Sequence, residues 1–208
     1  MKIWDLSARI YHWLQATLFC LLLASGFSGK DAHIPLGLML FTLIMWRLIW
    51  GIVGSDTSRF TYFLRSPSSV LRYLRGKENA KAGHNPLGGW MVLCMIGTLL
   101  LQCISGLALA GLLDNLPFSD YWLTDSVFAA LEGIHLLLAN GLPVLIALHL
   151  GAILIYKLRA KPLVMAMLTG YQKETRETPH TLYFASNARA LLVLTVAGFV
   201  TIAIVAFA

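Results

Sequence analysis

A chain of 208 residues that is 58% hydrophobic, only 12% charged and of mean hydropathy +0.71 is not a water-soluble globular domain, for which roughly a quarter charged residues is usual. Its formal net charge of +6 does not point to nucleic acid, because the basic residues lie between long apolar runs, where anionic lipid headgroups meet them.

The first apolar run, Ile10 to Ser28, follows Lys2 and Arg9 as a secretory signal would. No A-x-A site ends it and more apolar runs follow, so it reads as a retained membrane span. A second run covers Ile34 to Val53. The Arg- and Ser-rich stretch Gly54 to Gly83 reads as an interfacial loop with a short amphipathic helix around Ser69 to Leu74. The remaining runs are Gly88 to Leu112, Gly133 to Tyr156 and Ala190 to Ala208. At about 1.5 Å per residue each crosses most of a hydrocarbon layer about 30 Å thick. Backbone groups inside that layer must bond within their own segment, so all five runs are expected to be helices.

With the amino terminus inside, fourteen of the sixteen Lys and Arg residues fall on the cytoplasmic side, the exceptions being Lys30 outside and Arg47 within a span. The carboxyl terminus then lies on the outer side, which in a bacterial inner membrane is the periplasm. Asp31, Asp114, Asp120, Asp125 and Glu132 make the outer face acidic, which suits a basic or redox-active partner. The fifth span has no ionisable residue after Arg189 and reads as an outer packing helix or partner contact, with Gly198 and Ala203 as candidate points of close approach. Cys20, Cys94 and Cys103 have neither CxxC spacing nor nearby ligands and read as packing residues.

Ionisable groups inside lipid are costly and mark functional interiors. His135 and His149 on the fourth span are fourteen residues apart, within about 40° of the same helical face and about 21 Å apart along the axis. They are therefore two sites, not one. Span direction puts His12 of the first helix level with His149, and His33 of the second level with His135. One imidazole from each of two helices at each level is a poor zinc site, which wants four converging ligands, and a good bis-imidazole haem site, whose closed coordination suits electron transfer. Pro143, between the two histidines of the fourth span, is expected to kink it.

Arg47 follows His33 by fourteen residues and reaches the level of His12 and His149, where a guanidinium suits a haem propionate. Arg9, three residues before His12 on the same face, is a second candidate, with headgroup contact as the alternative. Gly26, Gly37, Gly106 and Gly141 are candidates for close approach to the macrocycle. His84, in GHNPLGGW beside Trp90, either lines a quinone or propionate site or serves a helix start. His180, after Pro179, reads as a surface residue.

The segments WDLSARIYHW, HIPLGLMLFTLIMWRLIW and GHNPLGGW, with both fourteen-residue intervals, resemble the bacterial cytochrome b561 family and the related cytochrome b subunit of nickel-iron hydrogenases over residues 1 to 160. The resemblance implies an all-α integral membrane protein, with a four-helix core holding two haem b groups. His12 and His149 would ligate the cytoplasmic-side haem, and His33 and His135 the periplasmic-side one. Residues 161 to 208 would then be a cytoplasmic linker and a fifth transmembrane helix, a departure from four-helix members. Leu136 stands where some relatives carry a glutamate after the histidine, which weakens any transfer of a relative's superoxide chemistry.

The expected activity is electron transfer between membrane quinol or quinone and a periplasmic partner such as a c-type cytochrome. The alternatives are a haem-bearing anchor of a hydrogenase-like complex, or a transporter using the intramembrane histidines.

Overall fold

The computed structural model describes residues 1–29, 31–79, 83–159, 162–172 and 181–208. Lys30, Lys81, Lys161, Lys173, Arg176 and His180 lie outside the described residues. Those described form helices α1 (Leu6–Ser28), α2 (His33–Val53), α3 (Phe60–Phe63), α4 (Pro67–Leu74), α5 (Pro86–Leu109), α6 (Ser119–Trp122), α7 (Asp125–Leu158), α8 (Leu163–Thr169) and α9 (Asn187–Phe207). No β-strand occurs among them; Lys2 and Tyr171 meet in one isolated bridge. Helices α1, α2, α5, α7 and α9 are long and apolar enough to cross a membrane, and the protein is an all-α integral membrane protein.

Local chemistry sets most of the boundaries. Asp5 accepts the Ala8 N–H at 2.6 Å and starts α1. Asn85 accepts from Gly88 at 2.7 Å, with Pro86 pre-set in the first turn, and starts α5. Ser186 does the same for α9. Gly29 closes α1 in the left-handed region at φ +61°.

One expectation is corrected. α7 begins at Asp125 rather than Gly133, because Thr124 caps it and Asp125 suits the positive end of the helix dipole; at 34 residues it overreaches a hydrocarbon layer. It also continues as helix through Pro143. The linker after residue 160 contains α8, which ends at Gly170 with φ +86°, where a Cβ would stand 2.9 Å from the Trp4 carbonyl oxygen.

Helix α2 is central, with α1, α5 and α9 against it, while α7 lies along α5. Leu18, Leu40, Phe41, Ile44, Ile96, Leu99 and Leu142 form the core of the four helices α1, α2, α5 and α7. α1 and α7 barely approach each other. α9 covers the other face of α2 through Ala190, Val193 and Ala197 against Trp46 and Trp50. The Trp46 indole N–H donates to the Ala190 carbonyl at 3.0 Å, and the Thr42 and Thr201 hydroxyls are hydrogen-bonded at 2.7 Å. Gly198 has nothing within 4 Å and Ala203 is exposed, so the close approach of α9 uses a different face from the expected one. Cys103 belongs to the core, but Cys20 and Cys94 are exposed on their helices and pack no interior. Outward leucines such as Leu137, 70% exposed, and Leu148, 60% exposed, face the place of the lipid chains.

The two ends differ in charge and construction. At the basic end the Ile3 and Trp4 amides both donate to Gly170 O, Thr57 donates to Ile3 O, and the Asp56 backbone and side chain hold the Tyr183 main chain. At the acidic end Asp31, Asp114, Asp120 and Asp125 are exposed.

Candidate functional site: two levels of buried histidine

At the acidic-end level, α2 supplies His33 and α7 supplies His135, with ring centroids 6.3 Å apart and planes at 79°. His33 Nδ1 lies 3.0 Å from Ser25 Oγ of α1, whose own proton goes to Leu22 O at 3.1 Å. With the serine proton on that carbonyl, the serine oxygen accepts, the imidazole donates from Nδ1, and the lone pair is left on Nε2. His135 is built alike. Its Nδ1 lies 3.1 Å from Ser105 Oγ and 3.2 Å from Gln102 O of α5. A carbonyl only accepts, so Nδ1 again carries the proton. The Gln102 amide nitrogen stands 3.2 Å from His135 Nε2, on the lone pair a metal would take, and must give up that contact when a metal binds.

Both rings line a cavity of about 460 Å³, bounded from all four helices by residues including Phe19, Gly37, Leu99, Gly106 and Leu136, within the range of small-molecule and cofactor sites. Gly26 and Gly106 lie directly against the imidazoles: a Cβ would stand 3.2 Å from His33 Cε1 and 3.0 Å from His135 Cε1. Gly37 lines the cavity with nothing within 4 Å, while Gly141 is exposed and does not line it.

The separation of the rings tests the fit to an iron porphyrin. Two metal–nitrogen bonds of about 2 Å, each with a ring centre about 1 Å further on, put centroids about 6 Å apart. The observed spacing meets this, and the cavity is apolar as a macrocycle requires. Among the described residues no three His, Cys, Asp or Glu side chains converge. A pairwise metal site is therefore what the donor set offers at this level.

At the basic-end level His12 of α1 and His149 of α7 lie within electrostatic reach of each other. His12 Nδ1 is buried without a hydrogen-bond partner, as are Tyr11 Oη, Gln15 Oε1 and Arg47 Nη1. Arg47 of α2 is 7% exposed, with its guanidinium 5.1 Å from the Phe60 ring centre and 5.9 Å from that of Phe63. It makes no ion pair with a described carboxylate, although Asp5, Tyr11 and His84 are within electrostatic reach. A buried cation with an unpartnered N–H is a site prepared for an anion. Arg9 differs in part: its Nη1 donates to the Leu168 carbonyl of α8, while its Nε is buried and, among the described residues, without a hydrogen-bond partner.

His84 sits between the Trp4 ring at 4.9 Å and the Phe63 ring at 4.6 Å, and its Nδ1 is sealed from water without a partner. Burial, with Arg47 adding to it, pushes the imidazole down to about 3, so it is neutral.

Sequence reasoning named all four level-setting histidines but missed the groups that orient them. Ser25 and Ser105 look like ordinary small residues of membrane helices. Gln102, the sole amide side chain in α5, was the available signal. Tyr11, beside His12, was a second.

Comparison with known families supplies the context: the family model for prokaryotic cytochrome b561 matches residues 3–170, which takes in α1 to α8 and stops before α9. No curated protein and no solved structure matches the chain.

Proposed function

The chain belongs to the prokaryotic cytochrome b561 family and is a multi-pass bacterial transmembrane b-type cytochrome of electron transfer; from that premise we propose that it holds two haem b groups, one at each histidine level, and passes electrons between membrane quinol or quinone and a periplasmic c-type cytochrome. The observation that carries this reading is the His33–His135 pair, 6.3 Å apart with both Nδ1 atoms engaged, the Nε2 of His33 open to a metal and that of His135 open to the same metal once the Gln102 amide swings away. Haem b supplies a one-electron couple when bound. His33 and His135 hold the periplasmic-side group and His12 and His149 the cytoplasmic-side one. Two imidazoles per iron leave no open position, which favours outer-sphere electron transfer over oxygen chemistry.

Arg47 supports the inner level by offering its unpartnered Nη1 to a propionate, with Phe60 and Phe63 holding the guanidinium plane. Arg9 is the weaker candidate for that task because the Leu168 carbonyl already takes its Nη1, leaving Nε unpartnered among the described residues. The orientation follows from the basic end, whose Arg59, Arg65, Arg72, Arg75 and Lys77 suit anionic lipid of the cytoplasmic leaflet of the inner membrane. The acidic end then faces the periplasm, and its exposed Asp31, Asp114, Asp120 and Asp125 steer a basic partner.

The test is haem quantitation as pyridine haemochrome, with redox titration, on purified single variants. His33→Ala and His135→Ala each remove the same haem, and His12→Ala and His149→Ala each remove the other. Loss in a mixed pairing, or a parent protein holding one haem at full occupancy, overturns the reading.

A further inference from the structure

We propose that the protein carries one positioning device twice, the Ser25–Gly26 pair of α1 and the Ser105–Gly106 pair of α5, and that each pair sets the protonation, tilt and donor strength of an axial imidazole on the neighbouring helix; the proposal rests on the haem reading above. In each pair the serine sits on its own helix with its proton committed three residues back, to Leu22 O at 3.1 Å in one and Gln102 O at 3.0 Å in the other. Only acceptor capacity remains, and each oxygen offers it to a histidine Nδ1, at 3.0 Å to His33 and 3.1 Å to His135. In each pair the next residue is a glycine whose missing Cβ leaves room for the Cε1 edge of the same ring, at 3.2 Å and 3.0 Å.

A serine bonding back to its own helix is ordinary in a membrane span, and so is a glycine at a helix contact. Two such dipeptides, each meeting the same two atoms of an imidazole with the same partition of donors, are not accounted for by those habits. The bond from Nδ1–H fixes which nitrogen bears the lone pair, and by withdrawing that proton it makes Nε2 a more basic ligand. A more basic ligand favours the oxidised metal and lowers its potential. The glycine fixes how close the ring plane comes to the supporting helix, and so its tilt.

The two halves are not equal. Among the described residues His33 Nδ1 has Ser25 alone, whereas His135 Nδ1 also has the Gln102 carbonyl at 3.2 Å. Removing Ser25 therefore has the larger effect.

The experiment is a redox titration, with electron paramagnetic resonance of the oxidised low-spin haems, on the purified haem-loaded full chain. In Ser25→Ala haem content is retained and the midpoint of the His33-ligated haem moves to a more positive value, while the other haem is unchanged. Ser105→Ala moves the same haem in the same direction by less, and Ser25→Thr, which keeps the hydroxyl, returns the parent value. Gly106→Ala changes the g-values of that haem alone. If Ser25→Ala does not accumulate, Ser105→Ala decides, because His135 keeps a second acceptor. Midpoints unmoved in the serine variants, or a Ser25→Thr midpoint as far displaced as that of Ser25→Ala, overturn the proposal while a haem lost on His33→Ala and His135→Ala still stands. If those histidine variants leave the spectrum untouched, the haem reading itself has failed.

Discussion

Acidification should weaken this protein through His84 in particular. The ring lies between Trp4 and Phe63 with Nδ1 cut off from water, and burial followed by the nearby Arg47 charge pushes it from an ordinary value of 6.5 to about 3. An unfolded chain binds a proton at this imidazole once the pH falls below about 6.5, while the folded one refuses it until about 3. Between those values the unfolded state binds more protons, so stability falls as pH falls. One such group loses about 1.4 kcal/mol per pH unit at most, and with the curvature near 6.5 the loss is about 2 kcal/mol between pH 7 and pH 5. For a chain of this size that corresponds to a melting midpoint lower by about 5 °C. The assay is thermal unfolding in detergent at steps from pH 7.5 to 5, for the parent and for His84→Gln. The two proteins differ at this one position, so the difference in slope belongs to His84. A variant with the same slope as the parent refutes the reasoning.

Three further outcomes follow from the packing. Arg47→Met should shift the potential of the His12–His149 haem with haem content near two, and an unchanged potential would assign Arg47 to lipid headgroups instead. Gly51→Ala places a Cβ 2.1 Å from Phe60 Cε2; moving that ring from beneath Arg47 should cost about 1–3 kcal/mol, read as a lower melting midpoint. For the Thr42–Thr201 hydrogen bond, a double-mutant cycle of Val replacements should return a coupling of about 1 kcal/mol between α2 and α9, and simple additivity would show that the bond contributes nothing.

How far the sequence could be read depended on whether a signal was periodic along one helix or arose between two. The five spans and the depths of His12, His33, His135 and His149 are properties of single segments, set by rise per residue and direction of travel, and the helices follow them to within a few residues except at α7. There the first two turns, with Asp125 and Glu132 at their ends, fell outside the apolar run, since hydropathy marks where lipid begins and not where a helix can. Arg9 shares a face with His12 by periodicity, yet α8, hidden in an apparent linker, presents a carbonyl to it. Ser25 and Ser105 acquire meaning only when α2 and α7 bring an imidazole to each, and nothing local distinguishes them from Ser28 or Thr98, which bond back to their own helices. The packing face of α9 was unreadable for the same reason, because a helix apolar all round announces no preferred side.

The unsealed seam between α1 and α7 bears on how the protein is made. The amino-terminal pair of helices and the later pair are joined through α2 and α5 on one flank and left apart on the other, like a book open along its fore-edge. The paired histidines come one from each cover, His33 of α2 and His135 of α7 at one depth and His12 of α1 and His149 of α7 at the other. On the two-haem reading, a flat prosthetic group would enter sideways from the bilayer after translation and, once seated, would clasp the covers. Newly inserted chains starved of porphyrin should linger ajar, with the margins of the first and fourth spans offered to whatever quality-control protease patrols the membrane.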